Sequence, residues 1–125
     1  MKKILVVEDD PINAMVLRDF LHAYGYTLTV ATTGIAGVAR FHEEKPDLAI
    51  VDVLLPKLNG FEVCFEMKRT AHGKNTPVFL MSAIYKDIAH ATVYAKRDLK
   101  AEAYLVKPFD LRALLSEVHR FLGEA

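Results

Sequence analysis

Four apolar runs in this chain end on residues able to do chemistry. Ile4 to Val7 is followed by Glu8, Asp9 and Asp10, Leu48 to Val51 by Asp52, Val78 to Met81 by Ser82, and Tyr104 to Val106 by Lys107. Carboxylates brought close together repel one another, so a cluster of them is costly unless a cation sits among them. Oxygen ligands in small number suit Mg²⁺, which keeps several waters and shares its remaining positions with phosphate. Lys107 and Ser82 supply an ammonium and a hydroxyl, both partners for phosphoryl oxygens. Asp52 is then a candidate nucleophile that forms an aspartyl phosphate. With metal and lysine neutralising the transferring group, the reaction needs mainly positioning.

The positioning has to come from the elements around these residues. Five strand-like runs (Ile4 to Val7, Thr27 to Ala31, Leu48 to Val51, Val78 to Met81, Tyr104 to Val106) alternate with segments of helical length. The first, third and fourth are continuous apolar runs, the pattern of strands covered on both faces. One helix starts after Asp10, with Pro11 in its first position, and stops near Gly25; another spans Gly34 to Glu44. A third begins at Gly60 with Phe61, Val63, Cys64 and Met67 inward. A fourth lies within Lys86 to Leu99. The last follows Asp110, with Leu111, Leu114, Leu115, Val118, Phe121 and Leu122 on its apolar side and Gly123 at its end. Such alternation predicts a parallel sheet with helices on both faces. In an open sheet of that kind, ligands bind beyond the carboxyl ends of the strands, where all the chemical residues fall.

Composition narrows the function classes. A chain of 125 residues with 52% apolar and 26% charged residues is one globular domain. Basic and acidic residues number 16 each, and the zero net charge argues against a nucleic-acid or membrane-surface binder, both of which need a basic excess. The lone Cys64 suits a reducing compartment, and at helical spacing with Phe61 it reads as core. The N-terminus is too short in apolar residues for a signal peptide and no run reaches transmembrane length, so a cytoplasmic protein is expected. The five histidines (His22, His42, His72, His90, His119) lack metal-ligand spacing and read as surface residues.

Four segments, "ILVVEDD" at Ile4 to Asp10, "PDLAIVDVLLPKLNG" at Pro46 to Gly60, "PVFLMSA" at Pro77 to Ala83 and "AYLVKPF" at Ala103 to Phe109, stand in an order and spacing that resemble the receiver domain of two-component response regulators. The resemblance covers essentially the whole chain, 1–125, as a single receiver domain of the chemotaxis-regulator type with no output domain. It implies a flavodoxin-like fold, a five-stranded parallel sheet in the order 2-1-3-4-5. It implies that Asp52 accepts phosphate from a histidine kinase or phosphotransfer protein, and that Asp9, Asp52 and the backbone carbonyl of Leu54 ligate Mg²⁺ with Glu8 helping through water. Ser82 and Lys107 would contact the phosphoryl group, Tyr104 would follow Ser82 as a switch, and the Lys107–Pro108 bond would be cis. Catalysis would be limited to phosphoryl uptake and slow hydrolysis of the chain's own aspartyl phosphate. The positions best placed to orient a hydrolytic water are Leu54 and Ile84, neither of which can hydrogen-bond one.

The resemblance places the output surface on the fourth helix, fifth strand and fifth helix, acting on a partner protein rather than on nucleic acid or membrane. The sequence departs from the family in a Glu8–Asp9 pair where Asp–Asp is common, in Ser82 for threonine, in Lys100 where glycine is common, and in a lengthened Ser82 to Lys107 segment. Two other classes use related parts. A haloacid-dehalogenase-type phosphatase needs a second acid two residues after the nucleophile, where Leu54 stands, and a flavodoxin-like FMN carrier needs a hydroxyl- and glycine-rich loop where this chain is acidic. A degenerate receiver acting only as an interaction module is the remaining alternative.

Overall fold

The computed structural model describes residues 2–83 and 94–123. Within them the aliphatic runs become five strands: β1 (Lys3–Val7), β2 (Thr27–Ala31), β3 (Leu48–Asp52), β4 (Val78–Ser82) and β5 (Ala103–Val106). All neighbours pair in parallel, in the order β2-β1-β3-β4-β5. The three central strands are buried almost throughout, whereas β2 and β5, at the edges, are largely half-buried. That difference fits β2, where Thr27 and Thr29 interrupt the apolar run at the sheet edge, while the central strands hold long apolar stretches.

Alternation along the strands sends successive side chains to opposite faces. Ile4, Val6, Ile50, Phe79 and Met81 pack with Leu17 and Leu21 of α1 (Pro11–Ala23) and with Leu114 and Val118 of the last helix (Leu111–Leu122). Leu5, Val7, Val51 and Leu80 pack with Phe41 of α2 (Gly34–Glu44) and with Val63, Cys64 and Met67 of α3 (Gly60–Lys68). Each helix starts where a side chain can satisfy its first free N–H groups. Asp10 accepts from Ile12 N–H at 2.9 Å, Thr33 from Ala36 N–H at 3.0 Å, and Asp110 from Arg112 N–H at 2.8 Å. Asn59 and Glu62 cap α3 reciprocally, at 3.1 and 3.2 Å. Asp10 is therefore a cap, as its sequence context suggests.

Lys68, to which the sequence reading gave no role, and two of the histidines it read as surface residues lie deeper in the fold. Lys68 lies on the inner side of α3, its side chain 7% exposed, and donates to Thr76 O at 2.6 Å and to the Glu102 carboxylate at 2.9 Å. Glu102 in turn accepts from Val78 N–H at 2.8 Å, so one ion pair ties α3 to the entries of β4 and β5. His72 and His119 are half-buried, not surface residues. His72 sits 5.4 Å from the Phe41 ring with Nε2 3.0 Å from Pro46 O. The expected fourth helix lies mostly outside the described residues, which resume with a short helical turn at Tyr94–Asp98.

Candidate functional site

Strands β1, β3 and β5 end on the same edge of the sheet and deliver their terminal residues to one point. Glu8 follows β1, held by its N–H to Ala31 O at 3.0 Å, and is 1% exposed. Asp52 is the last residue of β3, paired in register with Met81 and 4% exposed. Lys107 follows β5, anchored by its N–H to Ser82 O at 2.9 Å. Its ammonium lies 2.7 Å from Asp52 Oδ2 and 3.0 Å from Glu8 Oε1, bridging two buried carboxylates. Asp9, exposed at the rim, completes the group: carboxylate oxygens of Glu8, Asp9 and Asp52 lie within 4.8 Å of one another.

The loop after Asp52 is locked against it. Leu54 N–H donates to Asp52 Oδ1 at 2.9 Å, and Gly60 N–H donates to Val53 O at 2.9 Å. A Cβ on Gly60 would run into the carbonyl of Asp52 and stand 2.5 Å from the Val53 Cα, so α3 reaches the strand tip only because this residue is glycine. Lys57, in the same loop, adopts a positive φ of 68°.

Burial sets the electrostatics. Removal from water is the largest influence on Glu8, and with the hydrogen bond and negative charge of Asp52 it pushes the acid up to about 7 despite Lys107. Burial alone would lower the Lys107 amine, but its bonds to Asp52 and Glu8 outweigh that and hold it above the ordinary lysine value. A site in which burial, with a second carboxylate, drives one acid towards its neutral form is short of positive charge. The all-oxygen, carboxylate-rich donor set fits a hard dication of the Mg²⁺ type.

The remaining residues from the sequence reading fall around this centre. Ser82 ends β4, buried, one position beyond the Asp52 register partner. Leu54 projects outward, 61% exposed. Tyr104, on β5 opposite Leu80, is half-buried and packs on the α3 side of the sheet. Ile84 lies outside the described residues. The Lys107–Pro108 bond is cis, as the resemblance implies.

Residues 4–119 match the family model of the response regulator receiver domain. The chain belongs to the response regulator receiver domain family. This receiver domain is 34% identical over 123 residues to protein PilH of Pseudomonas aeruginosa, covering 98% of the chain and 99% of PilH. It is 33% identical over 122 residues to the DNA-binding dual master transcriptional regulator RpaA of Synechocystis, covering 98% of the chain but 49% of RpaA, so it spans about half of that relative. Among solved structures, a putative response regulator from Chloroflexus aurantiacus superposes with a TM-score of 0.87 at 28% identity, with 98% of each chain covered. The response regulator TrrA of Thermotoga maritima, solved in complex with Mg²⁺-BeF, gives 0.82 at 30% identity over 98% of this chain and 100% of that one. The order 2-1-3-4-5 and the family membership bear out the fold and class expected from the sequence. Among the described residues, no helix is long and apolar enough to cross a membrane.

Sequence reasoning assigned no role to one feature beside the site. A groove of about 350 Å³ opens next to Lys107, lined by Asn13, Val16 and Leu17 of α1 with Pro108, Phe109 and Leu111. Val16, in its lining, is 44% exposed, and on the same helix Ile12 and Met15 are 66% and 47% exposed. Three large apolar residues outside the core-facing positions Ala14, Leu17 and Leu21 were the available signal.

Proposed function

We propose that the chain is a phosphoacceptor switch in which Asp52 takes a phosphoryl group from a phosphohistidine of a histidine kinase or phosphotransfer protein. The observation that carries this reading is the Lys107 ammonium held between Asp52 and Glu8, at 2.7 and 3.0 Å, at the edge where β1, β3 and β5 end. Asp52 attacks phosphorus, the phosphorus–nitrogen bond of the donor breaks, and the imidazole leaves. Lys107 is close enough to follow the charge from the carboxylate to the phosphoryl oxygens, and Ser82 is the hydroxyl at the neighbouring strand end. Glu8, Asp9, Asp52 and the Leu54 carbonyl are the groups that would hold Mg²⁺. When bound, the ion would neutralise phosphoryl oxygens during transfer.

The groove beside Lys107 supports a protein donor, because its exposed apolar rim offers contact area that a small phosphate ester would not use. Lys107 leads directly out of β5, so a shift of the ammonium towards phosphate pulls on the strand that bears Tyr104. A change of Tyr104 with Ser82, and output to a partner protein through the face around β5 and the last helix, complete the proposed switch. Neither a second acid two residues after Asp52 nor a hydroxyl-rich loop after β1 is present, which disfavours the phosphatase and flavin alternatives.

The test is incubation with Mg²⁺ and acetyl phosphate or phosphoramidate, read by intact mass. One phosphate is expected on the parent chain and none on Asp52→Asn. Retained labelling in that variant refutes the assignment, and no uptake by the parent chain favours the interaction-module alternative.

A further inference from the structure

Away from the strand ends, α3 carries an outward stripe that is complementary to itself. Glu62, Phe65, Glu66 and Arg69 are spaced so that they share one helix face. Phe65, at the middle, is 54% exposed, with the exposed Glu62 and Arg69 at either end. Grooves flank the stripe on both sides, the one towards α2 bordered by Glu66 and the other by Phe65 and Glu66. One of about 470 Å³ lies towards α2, lined by Ile35, Val38 and Leu58, and one of about 340 Å³ lies towards the Tyr94–Asp98 turn, where Phe61 and Tyr94 meet edge-on at 5.3 Å. A single exposed phenylalanine is ordinary, but a phenylalanine ridge between two grooves is the shape from which helices pack on one another.

Charge selects the occupant. The stripe carries Glu62 at its N-terminal end and Arg69 at its C-terminal end, with Glu66 between them neutralised by Arg69 of the same copy at 3.3 Å, so a partner of uniform sign is repelled at one end or the other. An inverted copy of the same stripe satisfies both ends together. Glu62 is fixed at the head of the stripe because its Oε1 caps Asn59 N–H at 3.2 Å, while Arg69, paired with Glu66 at 3.3 Å among the described residues, holds that surface contact weakly enough to share its guanidinium with a second carboxylate. Antiparallel helices also oppose their dipoles, and a net charge of zero leaves no long-range repulsion between copies. We propose that α3 is a self-association face on which two copies pair antiparallel about a two-fold axis, Phe65 against Phe65 of the partner subunit and Glu62 against Arg69 of the partner subunit. Such an interface is isologous, so each ion pair occurs twice.

Sedimentation velocity of the full chain, from low-micromolar to millimolar concentration, reads the association directly, with helix content checked by circular dichroism. A concentration-dependent dimer is expected. Glu62→Arg and Arg69→Glu should each weaken it by at least about tenfold, because like charges then meet at both ends. Mixed in equal amounts, the two variants should pair again, since each supplies the charge the other lacks. Phe65→Ser should abolish the dimer with the fold intact. Because Glu62 also caps α3, Arg69→Glu and Phe65→Ser carry the test if Glu62→Arg does not fold. A chain that stays monomeric throughout, a dimer insensitive to Arg69→Glu and Phe65→Ser, or folded charge variants that remain monomeric when mixed would each overturn the proposal. A monomer that instead binds another protein through Phe65 would overturn it as well.

Discussion

Replacing Glu8 by glutamine should make the metal-free protein more stable at alkaline pH and leave it nearly unchanged at acid pH. The Glu8 acid moves from 4.5 to about 7 on folding, mainly because it is buried, with Asp52 adding to the effect. A raised carboxyl binds its proton more tightly in the folded state, so its penalty is absent below the unfolded value and fully in force above the folded one. Stability should therefore fall as pH rises from about 5 to 8, by roughly 2–3 kcal/mol attributable to this residue. Lys107 does not blur the window. Its raised pKa contributes stability present below the ordinary lysine value and lost only at higher pH still. Urea unfolding in chelator at pH 5 and pH 8 measures the difference between parent and Glu8→Gln, which cancels the titration of groups that do not touch Glu8 and leaves the linked set of Glu8, Asp52 and Lys107. Adding Mg²⁺ at pH 8 should recover much of the parent's deficit and stabilise the variant less, by selective binding to the folded state. Parallel pH profiles for the two proteins would refute the reasoning.

Lys68→Met should destabilise the fold by about 2–3 kcal/mol in urea titrations, because it strips the buried partner from Glu102, whose own side chain is 27% exposed. Adding Glu102→Gln should recover part of that loss, since an amide oxygen can still accept from Val78 N–H. Lys100 adopts a φ of 63°, so Lys100→Gly should raise stability by roughly 0.5–1 kcal/mol, the relief of a left-handed side chain less the added freedom of the unfolded glycine. Cys64, buried and with its thiol pushed up to about 12 mainly by burial, should resist thiol reagents in the native chain and react at once in denaturant. Leu54, 61% exposed beside Asp52, offers no group to orient a water, so Leu54→Asn should shorten the life of the proposed aspartyl phosphate measured by phosphate release.

What the sequence revealed and what it hid divide along a physical line. The central strands were legible because burial on both faces demands an unbroken apolar run, as in Leu48 to Val51. Their one-residue extension was not, because Asp52 and Ser82 are polar yet remain in the hydrogen-bonded ladder, paired with Met81 and Val106. Caps at Asp10 and Asp110 were legible because they act within two residues of themselves. Lys68 was not, because the groups that make its burial tolerable lie 8 and 34 residues away. The site residues were legible as types at strand ends. Their consequence, a carboxyl raised towards neutrality, depends on distances that no spacing encodes.

That consequence bears on how the proposed switch would work. Among the described residues Glu8, Asp9 and Asp52 gather about the Lys107 ammonium, and the surplus of negative charge is greatest where water is least available. A dication would restore the balance. Phosphorylation of Asp52 would then replace one carboxylate charge by a phosphoryl group carrying more, and would place it farther out along the strand direction. Lys107 Nζ, at 2.7 Å from Asp52 Oδ2, has to leave that oxygen to meet the new charge, while its bond to Glu8 at 3.0 Å limits how far it can travel on its own. The demand therefore passes to the Lys107 backbone, which hangs from Ser82 O at the end of β4. Lys107→Met should then separate two events that normally coincide. Phosphoryl uptake at Asp52 should persist at a reduced rate, while the change in the intrinsic fluorescence of Tyr104 on phosphorylation, read against a Tyr104→Phe control, should disappear. A Lys107→Met protein that takes up phosphate and still shows the full Tyr104 response would show that the signal leaves Asp52 by another route.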